Sequence, residues 1–205
     1  GLGLKGIDFD IASATLDIWD RAWDPLWEAL QETNIPVSFH GTGPRGYPFR
    51  TTGDKWNDKI YQGIRMTIFQ ISASEFLAAI ILSGAPDRYP GLNFILGEAG
   101  VGWVPYTIER MDLEYEDRMD HLNMMPSEFW KRQGYTTFQT ESTGPHLVDM
   151  IGENNILWGS DYPHPDGVWP NSQAAIEADL GHLDQTVRRK ITRDNVIKLY
   201  NMDLD

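Results

Sequence analysis

Side chains that could act as acids, bases or metal ligands follow three apolar stretches of this 205-residue chain. The first stretch ends at His40, the second leads to Glu98 and the third leads to Asp161. Imidazole nitrogens and carboxylate oxygens both bind borderline divalent metals, and both groups serve as general acids or bases. Residues of these types would therefore suit metal-assisted chemistry on a small molecule.

Each of the three residues stands at the predicted carboxyl end of a strand. The continuous apolar run 156–158 is typical of a strand covered on both faces, and Pro163 prevents further pairing soon afterwards. Glycine-rich segments follow His40 and Glu98 in the same way. Because functional side chains of α/β folds gather at the carboxyl ends of parallel strands, we expect His40, Glu98 and Asp161 to converge.

Strands and helices alternate along the sequence, which favours a parallel sheet. The patterns predict strands over residues 5–10, 36–40, 93–98, 136–139 and 156–161. They predict helices over residues 24–32, 59–82, 106–119, 127–132, 144–151, 172–180 and 185–200. Asp24 is expected to cap the first helix, with Pro25 at its first helical position. No internal repeat or interdomain linker divides the sequence, so residues 1–205 are predicted to form a single domain.

Five motifs occur together in an order and spacing that are informative as a set. They are Val37–His40, Gly97–Pro105, Pro126–Phe129, Gly159–His164 and Asn195–Tyr200. The set resembles the amidohydrolase superfamily, in the branch of metal-dependent hydrolases and decarboxylases that includes aminocarboxymuconate-semialdehyde decarboxylase. The resemblance extends over nearly the whole chain. It implies a (β/α)8 TIM barrel with one divalent metal ion at the carboxyl ends of the strands, zinc being expected and manganese being the alternative.

Two residues match ligand positions of that family. The resemblance implies that His40 binds the metal from a later strand and that Asp161 binds it from the last strand and also acts as general base. The structural alternatives are a hydrogen-bonded strand-end histidine and a turn aspartate. The first-strand His-x-His or Glu-x-His pair of the family has no counterpart here, and Glu98 stands where the family often carries His. We expect Glu98 to be a catalytic acid or base or a further ligand, the alternative being a carboxylate that only accepts bonds from loop amides.

The length of the chain bears on how much of a barrel it can form. A complete barrel of this kind needs about 250 residues, and about 200 at the least. The predicted strands match the later part of the barrel, so the resemblance implies that about three leading β/α units are absent. We therefore expect an α/β fold that is a partial barrel of about the last five units. Leu4 and Ile7 of the first strand should then be less covered than residues of the inner strands.

Further residues are candidates for binding a substrate. The segment 41–53 is rich in glycine, proline and threonine, and Arg45 and Arg50 within it could hold a carboxylate in a forked geometry. The alternative is an ordinary solvated loop. Trp103 is a candidate for a pocket wall or for the core. His164 either holds a ligand from another side or has a purely structural role.

The composition limits the classes of partner. A formal charge of −13 argues against non-specific binding to nucleic acid, which needs a basic surface. The absence of cysteine excludes disulfides and is compatible with a cytoplasmic protein, which is what we expect. No long apolar run indicates a membrane segment. We therefore expect a small-molecule substrate as the partner, while the sequence does not decide whether the chain forms a homodimer.

These observations predict a metal-dependent enzyme. The site suits hydrolysis of an amide, ester or lactone and equally suits loss of carbon dioxide from a small carboxylated substrate, and the sequence does not separate the two. The alternative is a catalytically inactive barrel fragment with a structural or ligand-binding role. Because a catalytic metal usually needs three protein ligands and His40 and Asp161 supply two, we expect this chain by itself to bind metal weakly and to lack turnover.

Overall fold

One five-stranded parallel sheet organises the structure. The computed structural model describes residues 3–10, 14–40, 47 and 50–204. The strands are β1 (Ile7–Asp8), β2 (Val37–His40), β3 (Phe94–Gly97), β4 (Gly134–Phe138) and β5 (Ile156–Trp158). They lie in the order β1-β2-β3-β4-β5, and each adjacent pair is parallel. The predicted α/β fold with five parallel strands is confirmed.

Helices connect successive strands and cover the sheet. They are α1 (Asp24–Thr33), α2 (Lys55–Ile68), α3 (Ala73–Leu82), α4 (Ala85–Arg88), α5 (Val104–Arg118), α6 (Pro126–Gln133), α7 (Val148–Ile151), α8 (Ser172–Leu180), α9 (Gln185–Arg189) and α10 (Asn195–Leu199). Within the described residues, no single helix is long and apolar enough to cross a membrane. Among the same residues, only α2 taken together with Gln70–Leu82 reaches that length and apolarity, and this pair is bent by 52°.

The outer face of the sheet is buried beneath the helices. Side chains alternate between the two faces of a strand, so Val37 and Phe39 of β2 share this face with Phe94 and Leu96 of β3. All four are at most 1% exposed and belong to the main hydrophobic core. The helices contribute to the same core the buried side chains of Trp27, Leu77, Ile80, Val104, Phe129 and Trp130. This packing determines which side chains must point to the opposite face.

The inner face of the sheet is covered in part by the C-terminal helix α10. Ile95 of β3 and Leu157 of β5 form a small apolar cluster with Leu199, and Tyr200 packs against it. Gly6 allows the Tyr200 ring to approach the first strand, because a β-carbon at this position would lie only 2.9 Å from the ring. The last helix therefore returns to the face that carries the candidate site.

The sheet is open at β1 and β5 within the described residues. β1 contributes only two residues, paired as Ile7 with Val37 and Asp8 with Ser38. Leu4, just before it, is 62% exposed, and Ile7 is only partly buried, whereas Phe94 in β3 is fully buried. The expected partial barrel, with a less covered first strand, is confirmed.

One long predicted helix is interrupted in the structure. The prediction placed a single helix over 59–82, but α2 begins at Lys55 and the chain forms a 3-10 turn at Gln70–Ser72. There the Ser72 hydroxyl donates a hydrogen bond to the Phe69 carbonyl oxygen. Such side-chain bonding competes with the helical ladder, and the break lets α3 bury its apolar face independently of the more exposed α2.

Asp24 does not cap α1, contrary to the prediction. Trp23 occupies the cap position without a side-chain bond, and Asp24 is the first helical residue. The Asp24 carboxylate instead binds the guanidinium groups of Arg21 and Arg88, with Nη2 of Arg88 at 2.8 Å. Two charged donors are stronger partners for a carboxylate than a backbone amide, which explains the difference.

The predicted C-terminal helix over 185–200 is also divided. It consists of α9, a π turn at Lys190–Asp194 and α10. Within this segment the Asn195 side chain donates to the carbonyl oxygens of Glu153 and Ile156, each at 2.8 Å. The π turn, which contains about one residue more per turn than an α-helix, directly precedes Asn195. The bonds of Asn195 attach α10 to the start of β5.

Asn155 provides a test of how the sheet is held to its helices. Its buried amide donates to the carbonyl oxygens of Trp130 at 3.1 Å and Gly134 at 2.8 Å, joining the end of α6 to β4. Asn155→Ala should lower the free energy of unfolding by about 1–3 kcal/mol, because buried carbonyls lose their donor. The exposed Asn123→Ala should change it by less than about 0.5 kcal/mol. Urea denaturation measures both, and equal effects would contradict this account.

Candidate metal centre

His40, Glu98 and Asp161 meet at the carboxyl ends of β2, β3 and β5. His40 pairs in register with Gly97, the residue before Glu98, and Asp161 follows shortly after β5. All three line one cavity of about 230 Å³ on the inner face of the sheet. The same cavity is lined by Ser38, Ile95, Gly97, Thr137, Phe138, Gln139, Gly159 and Tyr200. The structure thus brings together the side chains that the sequence singled out, and their chemical roles stay predictions.

His40 lies between two carboxylates. Its Nε2 is 3.0 Å from Oε2 of Glu98, and its Nδ1 is 4.0 Å from Oδ2 of Asp8. The His40 side chain is about half exposed, whereas that of Glu98 is 15% exposed. Glu98 is therefore the closer and better shielded of the two partners, and this contact attaches His40 to the rest of the site.

A group of four side chains has the spacing of metal ligands. One ligand atom from each of Glu98, Asp161, His164 and Asp166 lies within 4.8 Å of the others. Nδ1 of His164 is 3.1 Å from Oδ2 of Asp161, 2.6 Å from Oδ1 of Asp166 and 3.7 Å from Oε1 of Glu98. Three carboxylates this close repel one another, so a cation between them would be stabilising. Oxygen ligands with one imidazole nitrogen fit a divalent ion such as manganese or zinc.

The Asp161 loop (residues 159–168) is closed by its own backbone. The His164 amide donates to the Asp161 carbonyl oxygen at 2.8 Å, and the Val168 amide donates to that of Ser160 at 2.9 Å. Gly167 fits between these residues only because it lacks a side chain: a β-carbon would lie 2.7 Å from the Asp161 carbonyl oxygen. The turn that places His164 beside Asp161 is therefore fixed locally.

Two of the candidate ligands adopt an unusual backbone conformation. Glu98 has φ of 53° and Asp161 has φ of 56°, in the left-handed region that non-glycine residues rarely occupy. Such a conformation costs about 1–3 kcal/mol and persists only where surrounding contacts enforce it. At Glu98 one such contact is the hydrogen bond from its amide to Oγ1 of Thr137, at 2.7 Å. Strain at both residues marks this place in the fold as a functional-site candidate.

The carboxylates also influence the protonation of two neighbouring groups. The hydrogen bond that the His164 ring donates to the Asp161 carboxylate raises the pKa of His164. Burial opposes this rise, and the charges of Asp166, Asp161 and Glu98 add to it. Burial raises the pKa of Tyr200, and the charge of Asp8 raises it further. The Tyr200 phenol therefore stays protonated and can donate a hydrogen bond within the cavity.

Trp103 and Arg50 are not among the residues that line the cavity. Nε1 of Trp103 donates to the Ala99 carbonyl oxygen at 2.6 Å, and the half-buried ring packs against the core. The Arg50 guanidinium lies over the Tyr61 ring, 4.3 Å from its centroid. Arg45 lies outside the described residues. Roles in substrate binding for these residues stay predictions.

Three residues at the site, Asp8, Asp166 and Tyr200, were not predicted from the sequence. Asp8 ends β1 in the structure, but the strand was predicted over residues 5–10, so a rule that selects polar residues at predicted strand ends points to Asp10 instead. Asp166 lies two positions after His164 in the same turn. The proline and the glycine on either side of Asp166 indicate that turn, and they were the available sequence signal. Tyr200 reaches the cavity from α10, and no local pattern indicates such a long-range contact.

The sequence model of a family described as amidohydrolase matches residues 1–202. The gamma-resorcylate decarboxylase of Polaromonas sp. is 26% identical over an alignment 221 residues long. The alignment covers 99% of this chain and 62% of that protein. The chain thus spans less than two thirds of the length of this relative.

Solved structures show the same fold. An amidohydrolase from Mycobacterium avium subsp. paratuberculosis superposes with a TM-score of 0.72 at 25% identity, covering 92% of this chain and 47% of that one. The 5-carboxyvanillate decarboxylase of Novosphingobium aromaticivorans, solved with manganese and 4-hydroxy-3-methoxy-5-nitrobenzoic acid, gives a TM-score of 0.75 at 21% identity. Here the match covers 98% of this chain and 57% of the decarboxylase.

The protonation of His164 tests the geometry of the Asp161 loop. In the metal-free protein, NMR titration should give His164 a pKa above its ordinary 6.5, and Asp161→Asn should lower it by removing the bond that raises it most. Because the folded-state pKa is the higher one, the associated stability is full below the unfolded pKa and is lost as pH rises through the folded value. The exposed Asp117→Asn is the control, and an unchanged pKa in Asp161→Asn would contradict the geometry.

Proposed function

Because this chain belongs to the amidohydrolase family, we propose that it carries the metal centre of a decarboxylase that acts on a small aromatic carboxylic acid. The observation that carries the proposal is the convergence of Glu98, Asp161, His164 and Asp166 beside His40 at the carboxyl ends of the strands. The relative from Polaromonas sp. is named as a gamma-resorcylate decarboxylase, and the solved structure from Novosphingobium aromaticivorans as a 5-carboxyvanillate decarboxylase. Both names denote carboxylated aromatic compounds, which supports this substrate class.

The proposed ligands are His40, Glu98 and Asp161, with His164 and Asp166 beside them. Glu98 is the side chain that joins the two parts of the site, since one carboxylate oxygen is 3.0 Å from His40 and the other is 3.7 Å from His164. A divalent ion bound there would polarise a substrate carboxylate or lower the pKa of a water molecule. We propose manganese rather than zinc, because carboxylate-rich sites suit manganese whereas zinc prefers nitrogen and sulfur ligands.

Asp161 and Glu98 are the proposed acid/base residues. Loss of carbon dioxide breaks the bond between the ring and the carboxyl carbon, and the electron pair left on the ring must be taken up by a proton. Both carboxyl groups line the cavity in which the ring would lie, so either can hold that proton close to the ring. We assign the transfer to Asp161 and a supporting role to Glu98.

The substrate carboxylate needs a cationic partner away from the proton donor. Arg50 is a proposed partner, together with Arg45, because a guanidinium binds a carboxylate through two parallel hydrogen bonds. Trp103 is the proposed aromatic wall, and His164 is proposed to donate a hydrogen bond to the substrate from the Asp161 loop. The net charge of −13 does not oppose this, since binding depends on the local potential of a cleft.

Two further functions compete with decarboxylation. Hydrolysis of an ester or amide would use the same ligands, with Asp161 accepting a proton from water. Ligand binding without turnover is favoured by the open sheet, in which β1 and β5 each pair on one side only within the described residues. Assays for carbon dioxide release and for hydrolysis, run on one metal-loaded sample, separate the three.

The metal ligands can be tested on the 205-residue chain itself. Titration with Mn²⁺ followed by electron paramagnetic resonance should show one bound ion, and Asp161→Asn should weaken its affinity by at least about tenfold. The substitution preserves size but removes the charge that attracts the ion. The exposed Asp117→Asn should leave the affinity unchanged, and competition with Zn²⁺ compares the two metals. Equal affinities of the Asp161→Asn and Asp117→Asn variants would refute the ligand role.

The reaction is tested on the natural gene product that carries these residues. Manganese-loaded protein should release carbon dioxide from gamma-resorcylate or 5-carboxyvanillate, the compounds for which the two decarboxylases are named. Asp161→Asn should abolish the release because the proposed proton donor is lost. The 205-residue chain alone should bind the ion without turnover. Ester hydrolysis without carbon dioxide release would favour the hydrolase, and metal binding without either reaction would favour the ligand-binding alternative.

A further inference from the structure

A carboxylate outside the metal centre holds the segment that carries Glu98. This segment, the Glu98 loop (residues 98–103), runs from the end of β3 to the start of α5. Oε2 of Glu141 accepts a hydrogen bond from the Val101 amide, and Oε1 accepts one from the Gly102 amide, each at 2.8 Å. Glu141 thus satisfies two backbone donors just before α5, where amides have no partner within the helix.

Three glycines leave room for this carboxylate. A β-carbon at Gly102 would lie 2.4 Å from Oε1 of Glu141, one at Gly144 would lie 2.8 Å from it, and one at Gly100 would lie 3.2 Å from Oε2. Any side chain at Gly102 or Gly144 would displace the carboxylate or the loop. The fit therefore depends on Glu141 and on the glycines together.

Glu141 and β4 hold the Glu98 loop from opposite ends. The Glu98 amide donates to Oγ1 of Thr137 at 2.7 Å, and the Gly100 amide donates to the Thr137 carbonyl oxygen at 3.0 Å. Glu141 itself is fixed by α8, because its amide donates to Oδ2 of Asp179 at 3.1 Å. Only Ala99 and Gly100 separate Glu98 from the amides that Glu141 binds. The left-handed backbone of Glu98 is therefore enforced from both sides.

We propose that Glu141 is a positioning residue that fixes the backbone and the side-chain direction of Glu98. This inference rests on the proposed function for its effect on the metal, because Glu98 is a ligand only there. Bonds from two amides to one charged carboxylate are stronger than bonds to a neutral acceptor. Without them, Glu98 can relax from the left-handed region to a more common conformation, and its carboxylate then leaves His40 and His164.

The test compares Glu141→Gln with the wild-type chain. Glutamine preserves the size but removes the charge and one of the two acceptors. In the metal-free protein, the amide NMR resonance of Glu98, which donates its hydrogen bond to Thr137 rather than to Glu141, should shift. In the Mn²⁺ titration, the affinity should fall about tenfold and the paramagnetic resonance spectrum should change. Glu98→Gln should weaken binding similarly, and the double variant should lose no more than Glu98→Gln alone.

A second variant and two controls distinguish the loss of the Glu141 contact from a general loss of structure. Gly102→Ala keeps the Glu141 charge but introduces a β-carbon 2.4 Å from Oε1, and it should reproduce the effects of Glu141→Gln. Gly63→Ala is its control, since a β-carbon there meets nothing within 4 Å. Asp184→Asn is the control for a lost capping carboxylate, because Asp184 accepts from the Thr186 amide of α9 at 2.8 Å. Both controls should leave the Mn²⁺ affinity unchanged.

Each outcome decides the inference. An unchanged Glu98 amide resonance in both Glu141→Gln and Gly102→Ala would overturn it. Losses of affinity that add in the double variant would also overturn it, because Glu141 would then act independently of Glu98. Shifted resonances support it, and if Glu98→Gln nevertheless leaves the Mn²⁺ affinity unchanged, the ligand role of Glu98 in the proposed function fails while the positioning role stands.

Discussion

Burial of alternate side chains on the outer face of the sheet fixes the register on which the candidate metal centre depends. Phe39 of β2 and Leu96 of β3 are almost completely buried against the helices. A shift of one residue in either strand would turn these side chains to the inner face. The same shift would place His40 and Gly97 on the outer face, against the helices. The site therefore exists only in the register that buries the core.

Negative charge is concentrated at the strand ends, and this concentration destabilises the fold. Glu98, Asp161 and Asp166 gather around the single imidazole of His164, in a chain whose formal charge is already −13. Their mutual repulsion, together with the left-handed backbone of Glu98 and Asp161, opposes folding. The surrounding hydrogen bonds and the hydrophobic core must offset this cost, and a bound cation would reduce it. Stability and function therefore compete at this end of the sheet.

Local sequence patterns predicted the sheet and the centre of the site but not the contacts that complete them. Apolar runs and the polar residues after them located all five strands and the positions of His40, Glu98 and Asp161, and the family match confirms the resemblance drawn from the motifs. The break at Gln70–Ser72 was missed because apolar periodicity does not indicate the bond from the Ser72 hydroxyl to the Phe69 carbonyl oxygen. Glu141 and Tyr200 reach the Glu98 loop and the cavity through tertiary contacts that no spacing in the sequence indicates.

The cover that α10 gives to the inner face has a consequence for synthesis of the protein on the ribosome. Leu199 and Tyr200 pack on Ile95 and Leu157, which belong to strands made earlier. Until α10 leaves the exit tunnel, the growing polypeptide exposes these apolar side chains beside the unfinished cavity. Chaperones and proteases recognise exposed surface of that kind, so a translation product that stops before α10 is distinguishable from one that contains it.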